Sequence, residues 1–130
     1  MSDSSSNPQA NITEVPRNAV LDDPALQESL EGIHPAFGEL CTRIAGEAWG
    51  KPLIDQATKA LVAIAIDVVN QGLSPESPFE AHIRMALKQG VSFEQIEELL
   101  LFVCVYGGFN KAAPSFVRLA QIRSIIEAEG

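Results

Sequence analysis

Apolar residues recur at helical spacing along most of the chain, and short stretches of turn formers separate the runs. Over 35–49, Phe37, Leu40, Cys41, Ile44, Ala45 and Ala48 step by three and one, which predicts one buried stripe on a helix. Glu39 and Arg43 fall four apart on the opposite face, and Gly50 and Pro52 end the helix. The next helix, 55–70, is apolar from Ala60 to Val69 except for Asp67. A helix apolar all round is expected to be central and packed on every side. Residues 71–77 read as a loop. Ser77-Pro78-Phe79-Glu80 has the form of a capping box with proline at the first helical position, and its helix closes at Gly90. Ser92-Phe93-Glu94-Gln95 is a second capping box. The helix it opens is apolar from Leu99 to Tyr106, a half expected to be deeply buried, and breaks at Gly107-Gly108. A last helix is expected over 110–127, with Pro114 in its first turn, where a missing N–H costs little. A short helix over 23–31, capped by Asp22 or Asp23, completes the set. Neither period-two alternation nor an Asn-Gly hairpin occurs, so the fold class is all-α, a bundle of five or six helices.

The residues ahead of this pattern change the picture. They are rich in Ser, Asn and Pro, so 1–22 reads as a flexible tail or arm and 23–130 as the helical domain. Asn11-Ile12-Thr13 fits a glycosylation sequon, but the start has neither the basic nor the apolar stretch of a secretory signal, so the match reads as chance. At 130 residues and 46% apolar composition, the chain suffices for one domain. A net charge of -8 argues against a nucleic-acid or anionic-membrane surface. Much of that acid lies in residues 1–33, where Asp3, Glu14, Asp22, Asp23, Glu28 and Glu31 face a single base, Arg17. No apolar run reaches the roughly 18 residues of a membrane span, and a cytoplasmic protein is expected. Cys41 and Cys104 sit far apart in apolar helical contexts and read as reduced core thiols.

Few residues are candidates for chemistry. On helix 78–89, Phe79, Ile83, Ala86 and Leu87 form the apolar stripe, and His82 points inward with them. Burial near a helix N-terminus favours an uncharged imidazole, which suits general acid–base work; the alternative is a core histidine bonded to backbone carbonyls. Asp67, a carboxylate in an apolar helix, needs a partner. It reads either as an acid or orienting partner for His82, or as one half of a buried salt bridge. Glu47 and the lone tryptophan, Trp49, end the helix over 35–49, where Glu47 falls four residues before Lys51. Glu94, Glu97 and Glu98 read as a solvated face. Two histidines far from both cysteines give no metal-ligand spacing, so no metal is expected. Nucleotide-binding glycine motifs, the GxSxG elbow and CxxC are all absent.

The succession of motifs resembles a family. His34-Pro35-x-Phe37 is followed by Lys59-Ala60-Leu61-Val62-Ala63-Ile64-Ala65. Next come Ala81-His82-Ile83-Arg84-x-Ala86-Leu87-x-x-Gly90-Val91-Ser92 and Glu94-x-Ile96-x-Glu98-Leu99-Leu100. Tyr106-x-Gly108-Phe109-x-x-Ala112 ends the series. Over about 34–120 this resembles the carboxymuconolactone decarboxylase family, whose fold is the alkylhydroperoxidase D-like helical bundle. The resemblance implies assembly into homotrimers or homohexamers. One branch of the family uses a glutamate, a CxxC pair and a histidine. Of these only His82 carries over: the cysteine positions fall in the Ser74–Pro78 loop, which holds no thiol, and the glutamate position looks like Ala60. The sequence is closer to the decarboxylase branch of aromatic catabolism, which lacks CxxC.

That branch implies a cofactor-free lyase acting on a small carboxylated lactone. Loss of CO₂ from the γ carbon leaves a dienolate spread onto the lactone carbonyl, so the substrate is its own electron sink. His82, the family residue that carries over, is the candidate proton donor to the α carbon; Asp67, which is no family motif but lies two helical turns from Ala60 on the same face, or Glu47 would set its protonation state. Arg43 and Arg84 are the candidate cations for substrate carboxylates. Both lie on polar faces of their own helices and would act across a subunit boundary. Trp49 and Tyr106 complete the expected substrate-binding set. The alternatives are a thiol peroxidase-like antioxidant protein, which the missing CxxC disfavours, and a non-catalytic helical oligomer.

Overall fold

A computed structural model of the chain describes residues 15–130. The first 14 residues of the expected tail, with the sequon, lie outside the described residues. Six helices follow in order: α1 (Pro24–Ile33), α2 (Pro35–Trp49), α3 (Gln56–Val69), α4 (Phe79–Lys88), α5 (Phe93–Gly107) and α6 (Phe109–Glu129). No strand occurs among the described residues, so the architecture is all-α.

Local chemistry explains most of the starts. Asp23 caps α1 by accepting from the Leu26 N–H at 3.1 Å. His34 Nδ1 accepts from the N–H groups of Ala36 and Phe37 and caps α2, where Pro35 takes the first position. Asp55 accepts from the Thr58 N–H at 2.7 Å and caps α3; that bond holds its carboxyl below the usual value. Ser92 and Gln95 close the expected capping box on α5. The box expected at Ser77–Glu80 does not form. Ser77 Oγ instead donates to the Ser74 carbonyl at 2.7 Å, and two guanidinium groups draw Glu80 away from the backbone. Pro114 lies in the second turn of α6, not the first, and the helix continues through it.

Helix α3 is the axis of the fold. It packs against α4, α5 and α6, and α6 packs against α5. Ala60, Ile64 and Val68 of α3 meet Phe79, Ile83, Ile96, Leu100 and Ile122 in a fully buried core. Helices α1 and α2 form a separate hairpin, packed closely because Gly38 lies on the backbone of Glu31. Residues 15–22, placed with the tail on sequence, strap this hairpin to the core. Ala19 and Val20 are buried, Asn18 Nδ2 donates to the Gly46 carbonyl, and Gln89 Nε2 donates to the Pro16 carbonyl.

Two expectations about burial fail within one chain. The α2 stripe is not covered: Phe37, Leu40 and Ile44 are 45–56% exposed. The hairpin packs through Gly38 and Gly46, and Ala45 and Trp49 turn towards the core, so the Phe37, Leu40 and Ile44 side of α2 is left uncovered among the described residues. Helix α3 is not packed on every side either. Val62 and Ile66 are exposed, as are Phe102 and Tyr106 of α5.

Candidate active site

The candidate site forms where α3 ends and α4 begins. Asp67 lies in the last turn of α3 and His82 closes the first turn of α4. The connecting loop doubles back so that His82 Nδ1 stands 2.5 Å from Asp67 Oδ2. Gly72 N–H donates to the Asp67 carbonyl, and Gln71, at φ 58°, turns the chain out of the helix. Gln71 Nε2 donates to the carbonyls of Val68 and Lys111, which fixes the first half of the loop to α6. Phe79, Ile83 and Ala86 are buried beneath α4, and His82 sits at the edge of that face with 21% of its side chain exposed. Asp67 is more enclosed, at 11%.

This geometry sets the imidazole's orientation. With Asp67 accepting from Nδ1–H, the ring is turned so that Nε2 points away from the carboxylate. Nε2 makes no hydrogen bond among the described residues and is not sealed from solvent. A histidine oriented by a carboxylate, with its second nitrogen unengaged, is equipped to give or take a proton there. No group of three or more His, Cys, Asp or Glu side chains among the described residues could hold a metal.

The other sequence candidates lie elsewhere. No hydrogen bond or ion pair within the chain joins them to His82 or Asp67. Glu47 is exposed on α2, and despite the i,i+4 spacing it forms no ion pair with Lys51 among the described residues. Trp49 is half-buried against the core, and its carbonyl accepts from Gln56 Nε2 and Lys59 Nζ. Arg43 pairs with Glu39 at 3.0 Å on the exposed side of α2. Arg84 is saturated: it meets Glu80 at 3.0 Å and grips Glu129 through both terminal nitrogens. Those bonds raise its pKa further and hold Glu129 below the usual carboxylate range. Arg84 thus lines a polar cleft of about 460 Å³ between α1 and α4 without offering an unpaired charge. Tyr106, 80% exposed, packs on Phe102 with ring centroids 5.1 Å apart. Both line an apolar groove of about 510 Å³ between α3 and α5. Ile66 and Asn70, on either side of Asp67 in sequence, belong to the same groove wall. Cys41 and Cys104 are half-buried, unpaired thiols.

Sequence reasoning missed Arg118. It is buried on α6, with Nε donating to the Leu73 carbonyl at 2.8 Å and Nη2 reaching Glu80 at 3.4 Å. The signal was present: Ser115, Arg118, Leu119 and Ile122 share the buried stripe of α6 at helical spacing.

The model of the carboxymuconolactone decarboxylase family matches residues 35–121, two thirds of the chain. The chain belongs to the carboxymuconolactone decarboxylase family. The 4-carboxymuconolactone decarboxylase of Acinetobacter baylyi (strain ATCC 33305 / BD413 / ADP1) is 30% identical over 96 residues, covering 71% of this chain and 69% of that protein. No solved structure matches the chain significantly. The family match takes in α2 to α5 and most of α6, and with them His82, Asp67 and Arg118. No helix among the described residues of this family member is long and apolar enough to cross a membrane.

Proposed function

We propose that the protein is a cofactor-free decarboxylase of the carboxymuconolactone type, acting on a small carboxylated lactone with His82 as general acid/base. The observation that carries this reading is the His82–Asp67 contact, which leaves Nε2 of the imidazole unengaged. The substrate's γ-carboxylate leaves as CO₂, its bonding pair delocalises onto the lactone carbonyl as a dienolate, and His82, entering the step protonated on both ring nitrogens, gives its Nε2 proton to the α carbon and regains one from solvent after product leaves. Asp67 accepts the Nδ1–H throughout and fixes the ring's orientation. An apolar surround favours loss of the charged carboxylate, and in this reading a neighbouring subunit completes it.

The working form in this reading is a homo-oligomer, a trimer or hexamer, with the site completed at a subunit boundary. The exposed groove of α3 and α5 and the bare stripe on α2 support it, since monomers rarely leave apolar patches of several hundred Å² uncovered. Arg43 is better suited than Arg84 to serve a neighbour's site. Its exposed pair with Glu39 is cheap to break, whereas Arg84 is held by two carboxylates. Glu47, Trp49 and Tyr106 would likewise contribute only where subunits meet.

The test is CO₂ release from 4-carboxymuconolactone and related lactone or β-keto acids. His82→Ala is expected to lower the rate by about 100- to 10,000-fold. Asp67→Asn should lower it by roughly 10- to 100-fold, the usual effect of losing an orienting partner. A Cys41→Ser, Cys104→Ser double variant should keep its activity, because the reaction uses no thiol. If the wild-type protein releases no CO₂ from any of these acids, the reading fails.

A further inference from the structure

The loop between α3 and α4 sets how far His82 lies from Asp67, yet the start of α4 lacks the device that usually fixes a helix N-terminus. Its N-cap is Pro78, which makes no side-chain cap; Ser77 Oγ donates back to the Ser74 carbonyl and accepts only a long, 3.5 Å bond from the Phe79 N–H. A buried side chain of α6 reaches both the loop and this first turn. Arg118 Nε donates to the Leu73 carbonyl in the loop, and Arg118 Nη2 reaches Glu80 in the first turn of α4, two residues before His82. A third donor, Nη1, meets Gln121 at 3.5 Å. Glu80 is shared with Arg84, whose fork on Glu129 ties the same helix to the end of α6.

We propose that Arg118 is a positioning residue for the His82–Asp67 pair: its guanidinium clamps the loop at Leu73 and the first turn of α4 at Glu80. The inference rests on the proposed role of His82 only for its kinetic consequence. A planar guanidinium presents several donors at fixed angles, so one side chain can bridge a backbone carbonyl and a carboxylate at once. An ammonium in its place is a single compact centre. Gln71 anchors the first half of the loop to Lys111, and Arg118 joins the second half, at Leu73, to the first turn of α4, at Glu80.

The test compares Arg118→Met and Arg118→Lys with the wild-type protein. In the wild type, the Nδ1 proton of His82, held by Asp67, should appear in proton NMR as a protected, far-downfield resonance that vanishes in His82→Ala. Arg118→Met should lose that resonance while circular dichroism still reports a folded helical protein. Its kcat should fall on the order of 100-fold, as a misplacement of about 1 Å does, with little change in KM. Arg118→Lys should recover part of both. If Arg118→Met does not fold, Glu80→Gln releases the α4 arm of the clamp together with the Glu80–Arg84 pair and should weaken the same resonance more than Arg84→Gln, which breaks that pair and leaves the clamp. A folded Arg118→Met that keeps the resonance unchanged overturns the proposal. If the wild type releases no CO₂, the decarboxylase reading fails and the resonance alone decides the clamp.

Discussion

Asp67 sits in a helix that is apolar on both sides of it, and a carboxylate so placed must meet a donor. Its donor is His82, and the two side chains depend on each other. Replacing His82 with Ala strands the enclosed carboxylate and should cost about 1–3 kcal/mol of stability in urea unfolding. The double variant Asp67→Ala, His82→Ala should cost less than the two single changes summed, which a double-mutant cycle measures. The apolar spacing singled out both residues as candidates, since each is a polar side chain on an apolar face. That Nδ1 meets Oδ2 depends on the path of the loop, which no spacing encodes. Two glycines make a second contrast. A Cβ on Gly38 would come within 2.5 Å of the Glu31 backbone, so Gly38→Ala should destabilise the hairpin, by about 1–3 kcal/mol for forced overpacking. Gly32, inside α1 with open space around it, should gain roughly 0.5–1 kcal/mol from the same change.

Helices are where the sequence was most legible. Apolar periodicity and turn residues place all six, because both act over a few neighbouring residues. Their limits drift where distant groups intervene, as at α4. Glu80 there was read as a local cap and serves Arg84 and Arg118 instead. The two serines should therefore behave differently under one substitution. Ser92→Ala removes a formed capping box and should cost about 1 kcal/mol, while Ser77→Ala removes no cap and should stay within about 0.5 kcal/mol. Acid should act on elements too. Asp55 caps α3 and Glu129 holds α6 to α4, and both carboxyls are lowered in the folded chain. A lowered folded-state value stabilises the fold at neutral pH. That contribution is lost as the pH falls through and below the ordinary carboxylate range. Thermal melts followed by circular dichroism should therefore drop in that window and stay level between neutral and mildly acidic pH, as far as these two groups are concerned.

At the scale of the molecule, burial was the quantity that the pattern alone could not assign. The pattern places Phe37, Leu40 and Ile44 in the core, with all faces of α3 and the apolar half of α5, yet each of these leaves large side chains exposed. Periodicity identifies an apolar face but does not say whether its cover comes from the same chain. If the faces are covered by copies of the chain, Phe102→Asp should shift sedimentation velocity towards the monomer, because it places a charge in the apolar groove. A second consequence lies in the hairpin of α1 and α2. It makes no broad helix-to-helix contact with α3–α6 and is held mainly by the 15–22 strap, Trp49 and the Lys88–Asp23 pair at 2.8 Å. In hydrogen–deuterium exchange its amides should form a cooperative group of their own, exchanging through a partial opening of lower free energy than the unfolding that exposes α3. Such an opening would lift α2 away while leaving α3, α4 and the His82–Asp67 contact closed.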